Sequence, residues 1–573
     1  MMARTPGTPF LLTVLLLLGG CATTFPPSAG DTDTRAVASA HPLATEAGLD
    51  ALRNGGNAFD AAVATAAVLA VVEPYSAGMG GGGFWLLQEG DGTTRFVDAR
   101  EKAPAASTRT MYLDADGNVH PDKLSINGPM AAGIPGQPGA FVHISERYGQ
   151  RPLQANLQAA IDLARDGFPV DERYQDLARW RLDILQRYAA TRDTFLQNGQ
   201  VPALGTLIRQ PALANTLQTL ADRGWDGFYD GPVARRLVDD VRAAGGIWQL
   251  QDLRDYTVEE REPVVIHYGD ATVWSAPPPS SGGIALAQMF GMMTQRPFGD
   301  VFSTDDALSR VQYRVEVMRR AYRDRAVYLG DPDYTDIPVD HLLDPAYLNR
   351  LMAGVDPDRA TPSTALDGVP SAGTHTTHLS VMDAAGRKVS ATLSINLPFG
   401  SGFLSGATGV LLNNEMDDFA MKPGVPNAYG LVGGEANSIE PGKRPLSSMT
   451  PSILQSGDRT AIIGTPGGSR IITMVYLGLL DVMAGRDADA IVGAPRYHHQ
   501  YLPDVIQHEP DTFTADQKAA LTAKGYELKD VGRRYGNMQL ILRDQESGEV
   551  SAAADPRGIG AARVEAADTE TGG

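Results

Sequence analysis

Polar and apolar positions alternate on both sides of a short turn at 383–387. Thr376, His378 and Ser380 take even positions before the turn. Ser390, Thr392, Ser394 and Asn396 take them after it, with Val389, Ala391, Leu393 and Ile395 between. A period of two belongs to a strand with one apolar face, so the segment predicts a half-buried hairpin. Asp383-Ala384-Ala385-Gly386-Arg387 supplies the turn, and folding about it sets Thr376 roughly opposite residues 394–396. Elsewhere the period is helical. Residues 43–53 have helical spacing and stop at Gly55-Gly56-Asn57, while 60–72 is apolar on most faces and predicts a buried helix. Further helices are predicted over 157–165, 172–190, 210–223, 233–244, 283–294 and 309–329, with strands over 262–276. Strand-like stretches in 449–475, 505–514 and 538–555 surround helices at 473–484 and 515–524. Mixed elements of this kind predict an α+β architecture with helices outside two stacked sheets.

Three segments lie outside that periodicity. Residues 354–374, rich in Pro, Ser, Gly, Thr and Asp, predict an exposed, mobile stretch ending just before the His375–Thr376 bond. The glycine run 78–83 enters a strand over 84–88; without a Gly-Lys-Ser/Thr ending it predicts close backbone packing near a site, not a phosphate loop. Residues 422–434, framed by Pro and Gly around Tyr429, predict a loop.

At 573 residues the chain has room for a large core or two closely packed segments. Its 49 Lys and Arg against 68 Asp and Glu give a net charge of −19, which argues against nucleic acid as a partner. Arg4, the apolar run 10–18 and Gly19-Gly20-Cys21 predict an export signal over 1–20. Cys21 is the single cysteine, so no disulfide can form within one chain. Leu18-Gly19-Gly20-Cys21 resembles the bacterial lipobox, which implies lipidation at Cys21, a tether over 21–34 and attachment to the cell envelope through a lipid anchor, with Ala22 favouring the outer membrane.

A threonine that opens a strand can serve as an N-terminal nucleophile once the chain is cut before it, its new α-amine acting as base for its own hydroxyl. Taken alone, Thr in a strand signifies only β propensity. The stretch from Thr376-Thr377-His378 onward, however, resembles the γ-glutamyltransferase family, whose nucleophile opens such a strand. Segments 80–84, 98–101, 277–283, 411–419, 422–427, 444–449 and 466–470 match in order, so the resemblance spans about 35 to 560. It implies the four-layer αββα N-terminal-nucleophile hydrolase fold, built from a large piece (35–375 after the tether) and a small catalytic piece (376–573).

The same resemblance implies site roles. Thr376 is the nucleophile, supported by Ser394, and Gly467-Gly468 provide the oxyanion hole. Arg100, Ser447 and Ser448 face an α-carboxylate, while Asp418, Glu415 and Asn396 face an α-ammonium. The 422–434 loop with Tyr429 resembles the family's lid. Departures are Glu415 where some relatives have Gln, Ser394 for Thr, and His375 before the scissile bond where many have a neutral residue. His375, His378, His498 and His499 suggest metal ligands by type. Adjacent strand residues such as His498 and His499 point to opposite faces, however, and no Cys or paired carboxylates accompany them, so no metal is expected. No cofactor is expected either. The implied activity is transfer of a γ-glutamyl group from glutathione or related amides to water, amino acids or peptides. Cephalosporin or glutaryl acylases share the fold, and an inactive lipoprotein that captures γ-glutamyl peptides is the alternative outside enzymes.

Overall fold

The computed structural model describes residues 1, 34–294, 306–363, 376–422 and 424–567. Its centre is the alternating hairpin. Strands Thr377–Met382 and Lys388–Ser394 pair antiparallel with Leu393 opposite Thr377, and one further step sets Thr376 across from Ser394. Asp383 makes the turn: one carboxylate oxygen accepts the Arg387 N–H at 2.9 Å, and the other accepts that of Ala58 at 2.9 Å. The second bond ties the hairpin to the start of helix Ala58–Val72, where free N–H groups favour an anion.

Flanking strands come from far away in sequence. Thr34–Ser39 pairs with Thr377–Met382, and Ala561–Ala566 with Thr34–Ser39; on the other side come Gly82–Gln88, Thr94–Ala99 and Glu259–Arg261. All seven strands run antiparallel. A six-stranded antiparallel sheet lies against this one, in the order Val550–Ala554, Gln539–Asp544, Arg459–Gly464, Ser452–Ser456, Ala271–Ser275, Val264–Tyr268. The chain first crosses from one sheet to the other at Glu262-Pro263. Helix Ala58–Val72, buried along its whole length, packs on the outer face of the first sheet; Gly282–Met293 and Ile471–Met483 pack on the second. The layers are therefore αββα, as the resemblance implied.

The hairpin differs from expectation in one respect: both of its strands are buried on both faces. Its alternation separates two buried environments. Val389, Ala391 and Leu393 join the helix-side core. The polar face looks into the gap between the sheets, where Ser380 Oγ donates to the carbonyls of Ile462 and Gln539, and Ser390 Oγ to that of Ile463. His378 Nδ1 lies 2.8 Å from Thr392 Oγ1, and burial lowers its pKa to about 3.

The expected helix over 172–190 is three: Glu172–Trp180, Leu182–Leu185 and Ala189–Phe195. Arg181 leaves helical geometry while its guanidinium donates to the carbonyls of Pro398 (3.1 Å) and Gly400 (2.8 Å), a tertiary demand that local periodicity does not carry. Other helices agree within a few residues. Gln137–Arg147, Pro345–Ala353 and strand Thr34–Ser39 were not anticipated. The glycine run packs as expected: a Cβ on Gly80 would lie 2.1 Å from the Leu411 carbonyl oxygen, and one on Gly81 2.2 Å from that of Ser394. Of the 354–374 stretch, 354–362 is mostly exposed and Ser363 is buried; 364–374 lies outside the described residues.

Candidate active site

Thr376 stands at the head of an inner strand, Thr377–Met382, and is 6% exposed. It lines a cavity together with Arg100, Ser394, Asn396, Asp418, Tyr429, Ser447, Ser448 and Gly468. Residues separated by more than three hundred positions thus meet in one cavity. His375 and Cys21 lie outside the described residues.

Ser394 ends the partner strand, and its Oγ accepts the Asn396 N–H at 2.8 Å. Asn396 has a φ of 73°, donates from Nδ2 to the Asn414 carbonyl (2.8 Å), and accepts the Tyr429 hydroxyl at its own carbonyl (2.6 Å). That last bond draws the 422–434 loop onto the cavity. Ala428 N–H adds a second tie by donating to Asp417 at 2.7 Å, and Asn427 Nδ2 a third, to Asp418 at 3.1 Å. Pro423 lies outside the described residues.

Arg100, buried where strand Thr94–Ala99 ends, is surrounded by acids. Nη2 donates to Asp418 at 2.6 Å, Nη1 is 2.9 Å from Glu415 and 3.6 Å from Glu101, and Nε donates to the Pro445 carbonyl at 3.1 Å. Burial opposes the guanidinium's charge, but Glu415, Asp418 and Glu101 outweigh it and raise the pKa. Burial likewise raises Glu415, and pushes Glu101 up to about 8. Glu415 does not line the cavity. Its carboxylate pairs with Arg100, and the helical turn Glu415–Asp418 sets it deeper than Asp418.

Ser447 and Ser448 are held by the 277–283 segment. Ser447 donates its N–H to the Pro279 carbonyl at 2.8 Å, and its carbonyl accepts the Ser281 hydroxyl at 2.6 Å. Behind them lies Arg325, to which the sequence reading gave no role: fully buried, it donates to Ser281 Oγ at 2.9 Å and Ser448 Oγ at 3.2 Å. Burial lowers its pKa to about 10, still charged near neutrality. In sequence it is one of four arginines between 319 and 325, so nothing there marks it.

Gly467 and Gly468 follow strand Arg459–Gly464 with φ values of 154° and 57°, both disfavoured for residues with a Cβ, and lead into helix Ile471–Met483. Gly468 lines the first cavity. Gly467 lines a second, which also includes Thr376. His498 sits between Thr473 Oγ1 and Gln500 Oε1, each at 2.8 Å, whereas His499 lies 3.3 Å from Asp504. Among the described residues no cluster of three or more His, Cys, Asp or Glu is placed to hold a metal ion.

A threonine heading an inner strand of one of two stacked antiparallel sheets between helices defines the N-terminal-nucleophile hydrolase class. The structure of cephalosporin acylase from Bacillus halodurans matches 96% of this chain and 99% of that one with a TM-score of 0.81 at 26% identity. Within that class the chain belongs to the γ-glutamyltranspeptidase family, whose model matches residues 44–564. It is 39% identical to the glutathione hydrolase proenzyme of Escherichia coli over 91% of this chain and 90% of that protein. With the corresponding proenzyme of Pseudomonas aeruginosa it shares 41% over 93% and 95%. The γ-glutamyltranspeptidase structure from Helicobacter pylori matches at 37% identity and a TM-score of 0.55, over 57% of this chain and 94% of that one.

Proposed function

We propose that this chain is the precursor of a glutathione hydrolase that cuts itself between His375 and Thr376. In that cut the Thr376 hydroxyl adds to the His375 carbonyl and the C–N bond breaks. The resulting ester is hydrolysed by water, leaving a His375 carboxylate and a free Thr376 α-amine. In turnover the α-amine takes the hydroxyl proton, Oγ bonds to the γ-carbonyl of the donor, and the amine leaves with that proton. Water or an amino-acid or peptide amine then breaks the γ-glutamyl ester and restores the hydroxyl. The N–H groups of Gly467 and Gly468, each lining a cavity with Thr376, supply the oxyanion donors.

One observation carries the reading: the cavity that ends at Thr376 sets Asp418, backed by the Arg100 ion pair, beside the paired hydroxyls of Ser447 and Ser448. A γ-glutamyl head group has an ammonium for the first and a carboxylate for the second. A glutaryl chain has no ammonium and leaves Asp418 unanswered, which weighs against the acylase alternative. The test is a donor panel of glutathione, glutamine, a γ-glutamyl anilide and a glutaryl cephalosporin, with wild type and Thr376→Ala. Wild type should form two chains and use the γ-glutamyl donors; T376A should stay whole and inactive. An active but uncut wild type would end this reading, and preference for the glutaryl donor would favour the acylase.

We further propose that Cys21 is lipidated and holds the mature protein at the cell envelope, on the outer membrane facing the periplasm. A diacylglyceryl cysteine gives stable anchoring through several acyl chains. Cys21→Ser should move the protein from the membrane to the soluble fraction, and an unchanged distribution would refute the anchor.

A further inference from the structure

Thr376 borders two cavities, and only one is occupied by the head-group reading. The second is lined by Arg173, Pro466, Gly467, Arg533, Arg534, Tyr535, Gly536 and Arg557 around the same threonine. Four of those residues are arginines and none is acidic. Two of the four are already engaged: Arg557 pairs with Glu509 and Asp555 at 2.7 and 3.0 Å, and Arg534 donates to the Gly493 carbonyl at 3.0 Å. Arg173, half-buried, and Arg533, exposed, have no carboxylate within 4.0 Å among the described residues. Glu73 and Asp171 are in electrostatic reach of Arg173 without pairing with it, and burial raises both, Glu73 to about 7. The cavity wall therefore presents two guanidiniums, of Arg173 and Arg533, that make no ion pair among the described residues.

An amide has two sides. If the acyl side fills the first cavity, the amine side is left to project into the second, because both are lined by the threonine that attacks. In glutathione the departing amine is a dipeptide ending in a free carboxylate. Two extended residues reach about 7 Å from the scissile nitrogen, a distance that the long arginine side chains can meet. A peptide acceptor returns along the same path with the same carboxylate. Resting on the hydrolase reading above, we propose that Arg173 and Arg533 form a subsite for the C-terminal carboxylate of the leaving or accepting peptide. The enzyme thereby selects donors and acceptors whose amine side is an anionic short peptide over those whose amine side is neutral. Guanidinium suits this task because its planar fork matches a carboxylate and keeps its charge at any working pH.

The test compares each substrate with its uncharged twin in the same protein. Glutathione is set against glutathione bearing a glycine carboxamide, and glycylglycine against glycylglycinamide, in wild type, Arg173→Gln, Arg533→Gln and Arg533→Glu. Wild type should favour the carboxylate form of each pair. The ratio of kcat/KM values should fall by about two- to fivefold in each Gln variant, the scale of one solvent-facing ion pair, and further in R533E. Two bands on a denaturing gel establish that each variant has folded and processed. An identical ratio in wild type and all three variants, each fully processed, overturns the subsite while leaving the hydrolase standing. Failure of processed wild type to use any γ-glutamyl donor overturns the hydrolase reading and this one with it.

Discussion

Asp418 sits where a buried cation meets the open cavity: one oxygen holds Arg100 at 2.6 Å and the other Asn427 at 3.1 Å. Changing it to Asn keeps the shape and removes the charge offered to a substrate ammonium. A close charge pair of this kind contributes about 2–3 kcal/mol, so D418N should lower kcat/KM on glutathione by more than about tenfold, with glutaryl donors losing less. Steady-state kinetics on both donors checks this, and equal losses would separate Asp418 from the ammonium. His378 offers a test of the packed gap between the sheets. Its folded pKa of about 3 lies below the unfolded value of 6.5. Above 6.5 the imidazole is neutral in both states and pH has no effect through it. As pH falls from 6.5 toward 3, the unfolded chain takes up a proton that the folded one refuses, and stability is lost. Between pH 7 and 5 the loss through this group is about 2 kcal/mol. The stability gap between wild type and His378→Asn, read from urea midpoints, should shrink by that amount over the interval. A constant gap would mean that the imidazole charges inside the fold.

The 422–434 loop is held over the cavity by the Tyr429 hydroxyl on the Asn396 carbonyl and by Ala428 and Asn427 on two adjacent acids. Tyr429→Phe removes one of these ties and should loosen the loop without emptying its place. Water then reaches the acyl-enzyme more easily, so hydrolysis should rise relative to transfer to glycylglycine while the rate of acylation barely changes. Product ratios at fixed acceptor concentration measure it, and an unchanged ratio would make the loop a mere connection. Much at this scale was legible beforehand, for identifiable reasons. The hairpin register could be read to within a residue because Asp383–Arg387 allows one tight turn, and Asp418, Ser447 and Ser448 stood in ordered motifs. The sequence did not reveal what lay beyond the hairpin: the same alternation describes a strand facing water and one facing a second sheet. Glu415 and Asp418 are three residues apart in one motif, and only the sense of the short helical turn decides which looks inward. Arg325 was hidden among other arginines of an amphipathic helix, and the break at Arg181 answers carbonyls some two hundred residues away. Long-range partners leave no local period.

Across the whole molecule, the cut proposed at His375–Thr376 would divide both sheets between two pieces. In the first sheet, strands Thr377–Met382 and Lys388–Ser394 lie between Thr34–Ser39 and Gly82–Gln88, while Ala561–Ala566 caps Thr34–Ser39 from outside. In the second, Ser452–Ser456 is bonded to Ala271–Ser275. The pieces share both cores, so processed protein should run as one species on native sizing and unfold in a single transition; separation without denaturant would contradict this. The cavity is shared too, with Arg100 and Arg325 on one side of the cut and Thr376, Asp418 and Ser448 on the other. Such interlacing removes a freedom that two-chain proteins usually have. Two related enzymes, each already processed and mixed in one tube, will not trade halves: each nucleophile stays for life with the arginine it was translated with. A chimera joining one enzyme's threonine to another's clamp is therefore made before folding, most directly in a single gene ahead of the cut.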